Sequence, residues 1–200
     1  VNPVRAFLGS WLLLALVVGA SGRFERATAA EVAATVWGLV LLLAVLRTTW
    51  SPFRAWVEGL ELDALVALHL TRFVGVAFLT LHAAGRLPAT FALPGGIGDI
   101  TVALTAGVAL IAWMPTRNAR QRWFLLAWNL VGLLDIVAVV VTALHVGLKD
   151  WHGMAPLRAF PLSLLPTFLV PLIIGSHAEI FRRLARVPVR EQQTWKGRAG

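Results

Sequence analysis

Six apolar runs, each long enough or nearly long enough to cross a bilayer, constrain this chain more than anything else in it. They are Val4–Ala20, Glu31–Leu46, Leu62–Ala84, Asp99–Met114, Trp123–Gly147 and Pro161–Leu184. A helix needs about 20 mostly apolar residues to traverse roughly 30 Å of hydrocarbon. The first, second and fourth runs are short and are expected to extend by a few residues. Hydrophobic residues make up 58% of the 200 and charged residues 14%, against roughly 45–50% and about 25% in soluble domains. A soluble domain of this size cannot hide that much apolar surface around one core. Lipid removes the problem, and inside lipid every backbone group must be paired within helices or shielded by protein. The expected fold is all-α: a polytopic transmembrane bundle of six spans forming one domain over residues 1–186, with a basic tail over 187–200. Arg5, an apolar run and Val18-Gly19-Ala20 also resemble a signal peptide with its cleavage site, and cleavage would leave five spans.

The basic residues set the expected orientation. Arg5, Arg47, Arg54, Arg117, Arg120, Arg122, Arg182, Arg183, Arg186, Arg190, Lys196 and Arg198 fall on one side, and Arg23, Arg26, Arg86, Lys149 and Arg158 on the other. Twelve against five follows the positive-inside rule and puts both termini in the cytoplasm. The net charge of +8 is thereby absorbed at helix ends, and no soluble basic face is left for nucleic acid. Tryptophans 50, 56, 113, 123 and 151 sit near expected span ends, as an aromatic belt requires. The Ala-, Leu-, Val- and Arg-rich usage is of bacterial type, so the expected location is a bacterial inner membrane.

Three connections carry patterns of their own. In Ser51–Leu60, Ser51 can cap and Pro52 suits the first turn. Trp50, Phe53, Trp56, Val57 and Leu60 then recur at helical spacing, which suits a helix lying in the interface. Trp151, Met154, Leu157 and Phe160 recur every three residues, either as a membrane anchor or as a lid over a pocket. The run Gly85–Gly98 contains Pro88 and Pro94 and is read as irregular. It serves either as an external loop that Asp99 ends as a helix N-cap, or as backbone presenting amides to an anion.

Ionisable groups inside spans are the functional candidates, because burial in hydrocarbon is costly. At about 1.5 Å of rise per residue they form three layers. His69, His177 and Asn129 lie toward the cytoplasmic side, Arg72 and Asp135 at the midplane, and His82, Asp99 and His145 near the outer ends. Arg72 and Asp135 match in depth and are expected to face each other or shared water, as a structural pair or as a ligand or ion site. Paired depths of His69 with His177 and of His82 with His145 also suit haem ligation. Helical phase opposes two haems, since 13 residues put His69 and His82 about 140° apart around one helix. His82, Asp99 and His145, with His152 nearby, are the residues for an external metal site of N/O ligands.

Without cysteine, thiolate ligands, disulfides and Cys nucleophiles are excluded. No nucleophile elbow, HExxH helix or repeated carboxylate motif appears, so the reading leans away from an enzyme. Pro161, Pro166 and Pro171 break the sixth run; Pro166 and Pro171 each free a carbonyl four residues earlier. That is either a packing kink or the broken span with which transporters build midplane sites. The leading expectation is a small-molecule or ion/proton-coupled permease with its site between spans three, five and six: Arg72, Asp135, His69, Asn129 and His177. The alternatives are an accessory or scaffold subunit of a membrane complex and a haem- or quinone-binding electron-transfer protein. Beyond the bilayer, the expected partners are a second copy or the subunits of such a complex.

Overall fold

The computed structural model describes residues 2–112, 114 and 119–186. The expected tail over 187–200, with Arg190, Lys196 and Arg198, lies outside them, as do Trp113 and Arg117. Among the described residues the chain is helical throughout, with no strand. The helices are α1 (Pro3–Ala20), α2 (Ala29–Thr49), α3 (Ser51–Gly59), α4 (Leu62–Ala67), α5 (Gly75–Ala83), α6 (Ala89–Ala112), α7 (Ala119–Lys149) and α8 (Val170–Arg186). Five stretches are long and apolar enough to cross a membrane: α1, α2, Leu62–Ala83, α6 and α7. Their outward faces are rich in exposed Leu, Val and Ile, as Leu13, Leu41, Val76, Ile111 and Leu134 illustrate, which only lipid can solvate at such density. The protein is a multi-pass membrane protein.

The sixth run is broken rather than a continuous helix. Residues 161–163 turn, Leu165–Leu169 form one wide π-type turn, and α8 begins only at Val170. Pro166 and Pro171 have no N–H to give, so the carbonyls of Leu162 and Thr167 lose their helical donors. Leu165 N–H takes the first at 2.9 Å. The second receives Trp11 Nε1–H from α1, also at 2.9 Å. The segment nevertheless runs the full depth of the bundle. Ser163 lies against Gly19 at the end of α1, while Arg183 donates to Val57 and Leu60 carbonyls at the opposite end.

That opposite end is where α1 begins, and it is tied by charge. Glu179 accepts from Arg182 at 2.9 Å and from Arg183 and Arg47 at 3.4 Å, and Arg47 reaches Glu58 at 2.7 Å. The pairs with Arg182 and Arg183 lie within one turn of α8; the links to α2 and α3 are long-range. Helix α3 lies across this end with Phe53 buried against Val4 and Leu43. It starts at Ser51 without the expected side-chain cap, Trp50 supplying the extended backbone before it.

Two departures position the site. The third span is not uniform: seven residues, Leu68–Val74, wind as a 3₁₀ helix between α4 and α5. The fourth span starts at Ala89 instead of Asp99, so most of the run read as irregular is helical. Only Gly85, with φ 69°, does turn work there: Arg86 N–H closes on Leu81 and Gly85 N–H on His82, a left-handed helix stop. Pro94 is tolerated because it costs a single bond near the start of α6, where the Pro88 carbonyl already holds the amides of Phe91 and Ala92. The glycines serve close packing. A Cβ at Gly75 would stand 2.5 Å from the Gly96 carbonyl oxygen, and one at Gly96 would stand 2.8 Å from Leu79. Small residues let two backbones touch, as they do in other membrane bundles, and they bring α6 against the third span at the level of Arg72.

Candidate functional site

Arg72 sits on the 3₁₀ stretch with 1% of its side chain exposed. Its Nε–H donates to Asp99 Oδ1 at 2.6 Å, Nη1 to the Gly132 carbonyl at 3.0 Å, and Nη2 to Asp135 Oδ2. Three segments therefore meet on one guanidinium: the third span, α6 and α7. Asp99 is 4% exposed and Asp135 22%, so the first pair is dry and the second has a way out. Asp135 comes this close because Gly98 has no side chain; a Cβ there would collide with the carboxylate. With both carboxylates ionised the cluster carries one net negative charge in a low-dielectric interior, which a proton or a cation would neutralise.

The sequence placed Arg72 and Asp135 at one depth, and the structure brings them into contact. Asp99 is the corrected member. Read as an outer-end residue, it lies ten positions into α6, about 15 Å from the helix start at 1.5 Å per residue, and belongs to the midplane. The outer metal set dissolves accordingly. His82 Nδ1 bonds the Leu87 carbonyl at 3.1 Å, His145 and His152 are exposed, and Asp99 is taken by Arg72. Among the described residues no three His, Asp or Glu side chains are placed to hold a metal ion.

Next to Arg72 lies a second polar group, on the side of the closed end. Ser176 Oγ donates to the Ile173 carbonyl at 2.8 Å and lies 3.1 Å from His69 Nε2. A hydroxyl has one proton, so Ser176 accepts from His69 Nε2–H. Asn129 Nδ2 donates to the His177 carbonyl at 3.0 Å, which turns its Oδ1 toward His177 Nδ1 at 2.8 Å. That oxygen can only accept, so His177 carries its proton on Nδ1. Both rings are wholly buried, and His69 Nδ1 and His177 Nε2 have no partner. Neutral rings in these tautomers present two bare lone pairs; protonating either position would bury an unpaired N–H. The ring centroids are 4.2 Å apart, which leaves no room for a porphyrin plane between them and rules out this pair as the two axial ligands of one haem. The edge of His177 fills the space at Gly132, where a Cβ would be 2.8 Å from Cε1. Gly132 thus touches both groups, through its carbonyl on Arg72 and through its Cα against His177.

An elongated cavity of about 90 Å³ extends from Arg72 and Asp99 away from the end tied by Glu179. Its walls are apolar: Val32 and Val36 of α2, Phe78 of α5, Phe91 of α6, Val139, Val140 and Ala143 of α7, and Val170 and Ile173 of α8. Trp151, Met154, Leu157 and Arg158 line its far end. Of that three-residue recurrence, Trp151, Met154 and Leu157 line the cavity, while Phe160 is 48% exposed. The half of the bundle beyond Arg72 is solid, packed by Val66, Ala106, Leu125, Trp128, Ile180 and Leu184. Access is therefore one-sided. Sequence reasoning missed Ser176 and Gly132 as partners and Arg158 as a wall. Pattern gave no signal for Gly132 or for Arg158.

The chain belongs to the family described as Domain of unknown function (DUF8737), whose model matches residues 29–185. Every residue of the two polar groups lies in that stretch, and α1 with Trp11 lies before it. No curated protein and no solved structure matches the chain.

Proposed function

We propose that the protein is a proton-coupled carrier of a small, mostly apolar molecule, with the substrate in the cavity and the proton on the carboxylates around Arg72. The observation that carries this is that Asp99 and Arg72 belong to both: they floor the cavity and tie it to Asp135, and through Gly132 to His177. A charge cluster with one carboxylate in excess gains from taking up a proton, and a substrate arriving on its floor alters that gain. Solid packing on one side of the cluster and a cavity on the other fit one end state of alternating access. The Arg bias of the connections supports a closed side in the cytoplasm with both termini inside, and the Ala-, Leu-, Val- and Arg-rich usage supports a bacterial inner membrane; tags on both ends reporting the cytoplasm would agree with this orientation.

Proteoliposomes on a solid-supported membrane, challenged with small carboxylic acids, amines, alcohols and amino acids, test the reading. Charge movement with one of these classes is expected, faster under an imposed pH gradient and absent in Asp99→Asn and Asp135→Asn. No current with any class, or currents unchanged in both variants, would overturn it.

A further inference from the structure

The far end of the cavity holds a charge that the carrier reading does not use. Arg158 lines the cavity and is 8% exposed. Its Nε donates to the Glu25 carbonyl at 3.0 Å and its Nη1 to the Trp151 carbonyl at 2.8 Å, and its guanidinium carbon stands 3.9 Å from the Trp151 ring centroid. Among the described residues it makes no ion pair with any carboxylate; Glu25 acts on it only from farther away. Its charge is thus fixed in place by two neutral carbonyls and a ring face, with Nη2 free of any such bond. Burial pulls its pKa below the usual arginine value, so a negative partner would relieve a real cost.

Below Arg158 the slot is apolar and narrow. Its α7 wall runs from Ile136 to Leu144, eight steps or about 12 Å of helix. The centre of a water-sized sphere can occupy about 90 Å³ of it, a path about 1.5 Å in radius over that length, and adding the sphere's own radius of about 1.4 Å gives a bore wide enough for one unbranched hydrocarbon chain. The floor sets the direction: with both carboxylates ionised, Asp99 and Asp135 outweigh Arg72 there, which repels an anion and keeps it at the Arg158 end. That end is also where the chain passes from the end of α7 at Lys149 to the sixth run, outside the stretches long and apolar enough to span.

We infer that the cavity takes a single-chain anionic amphiphile, its head on Arg158 beside Trp151 and its tail between α2, α7 and α8 toward Phe78 and Ile173. The shared chemistry is an anionic group on one alkyl chain, whether a free carboxylate or a phosphate monoester. The assignment rests on the carrier reading's choice of this cavity as the substrate site and narrows its substrate class.

Binding of radiolabelled decanoate to nanodisc-embedded protein, with empty nanodiscs as reference, tests it through competition. Unlabelled decanoate and decyl phosphate should compete, the stronger of the two naming the head; decanol should compete less, and decylammonium and butyrate hardly at all. Arg158→Gln should weaken decanoate about tenfold or more, the scale of a lost charge-assisted bond, while leaving decanol unchanged, which also reports that the variant is folded. Arg158→Lys should retain much of the preference, and Ala143→Phe should abolish binding of every chain. Decylammonium competing as well as decanoate, butyrate competing equally, or decanoate unaffected in Arg158→Gln would each overturn the assignment. Binding without protein-dependent charge movement would keep the assignment and remove the carrier. Charge movement lost in Asp99→Asn for another compound class, with no decanoate binding, would do the reverse.

Discussion

Removing Arg72 should damage this protein more than removing either carboxylate it holds, and removing all three should repair much of the damage. Arg72→Met strands two carboxylates, one of them 4% exposed. Asp99→Leu leaves the buried guanidinium with Asp135 but takes away its 2.6 Å partner on Nε. Breaking a buried pair from one side costs about 3–5 kcal/mol, so Asp99→Leu belongs in that range and Arg72→Met at or above its upper end. Asp135 has 22% of its side chain exposed, and its loss leaves a matched Arg72–Asp99 pair. About 1.5–3 kcal/mol is then expected, the range for a hydrogen bond to a charged group. The triple variant Arg72→Met, Asp99→Leu, Asp135→Leu buries no charge at all. Because apolar replacement of a buried ion triad is often neutral or better, it should return to within about 2 kcal/mol of the parent. Reversible unfolding in mixed micelles of increasing SDS fraction gives these free energies. The reasoning fails if Asp135→Leu costs as much as Asp99→Leu, or if the triple variant is no more stable than Arg72→Met alone. If the carrier reading holds, the repaired triple variant is folded and inactive.

Two further outcomes follow from packing. Gly75→Ala should cost about 1–3 kcal/mol, the range for overpacking, because its Cβ meets the Gly96 backbone oxygen at 2.5 Å; Gly38→Ala, with nothing within 4 Å, should be neutral or stabilising in the same SDS titration. Trp11→Phe should cost about 1 kcal/mol for the bond to the Thr167 carbonyl. In a Pro171→Ala background, where residue 171 regains an N–H for that carbonyl, the cost of Trp11→Phe should shrink; equal costs in both backgrounds would mean that the two features are unconnected.

Depth was legible in the sequence, and orientation around each helix was not. Counting residues from span ends put Arg72 level with Asp135 and His69 level with His177, because a helix advances steadily whatever its neighbours do. Whether level residues also meet depends on crossing angles and rotation, which are set by contacts such as Gly75 on Gly96 that no single run reveals. Asp99 was misplaced because Pro94 and three nearby glycines resemble a loop when read locally. Their other use, thinning one helix so that a second can lie against it, needs the partner helix to be recognised. Arg158 entered the sequence reading only as a unit of charge for orientation, since nothing in its neighbourhood indicates that a loop residue will turn inward. The prolines of the sixth run were read correctly as freeing carbonyls. What takes up the Thr167 carbonyl is a tryptophan 156 positions away, beyond the reach of any local pattern.

The 3₁₀ stretch of the third span has a mechanical consequence. Over its seven residues, 3₁₀ winding advances about 14 Å and α winding about 10.5 Å, and the two differ by about 20° of turn per residue. Between one form and the other, α4 and α5 are displaced by about 3.5 Å and rotated by about 140° relative to each other. His69 and Arg72 both ride on this stretch, while their partners are anchored on α6, α7 and α8. A change of pitch would therefore act on both polar groups at once, like a thread turned between two fixed nuts.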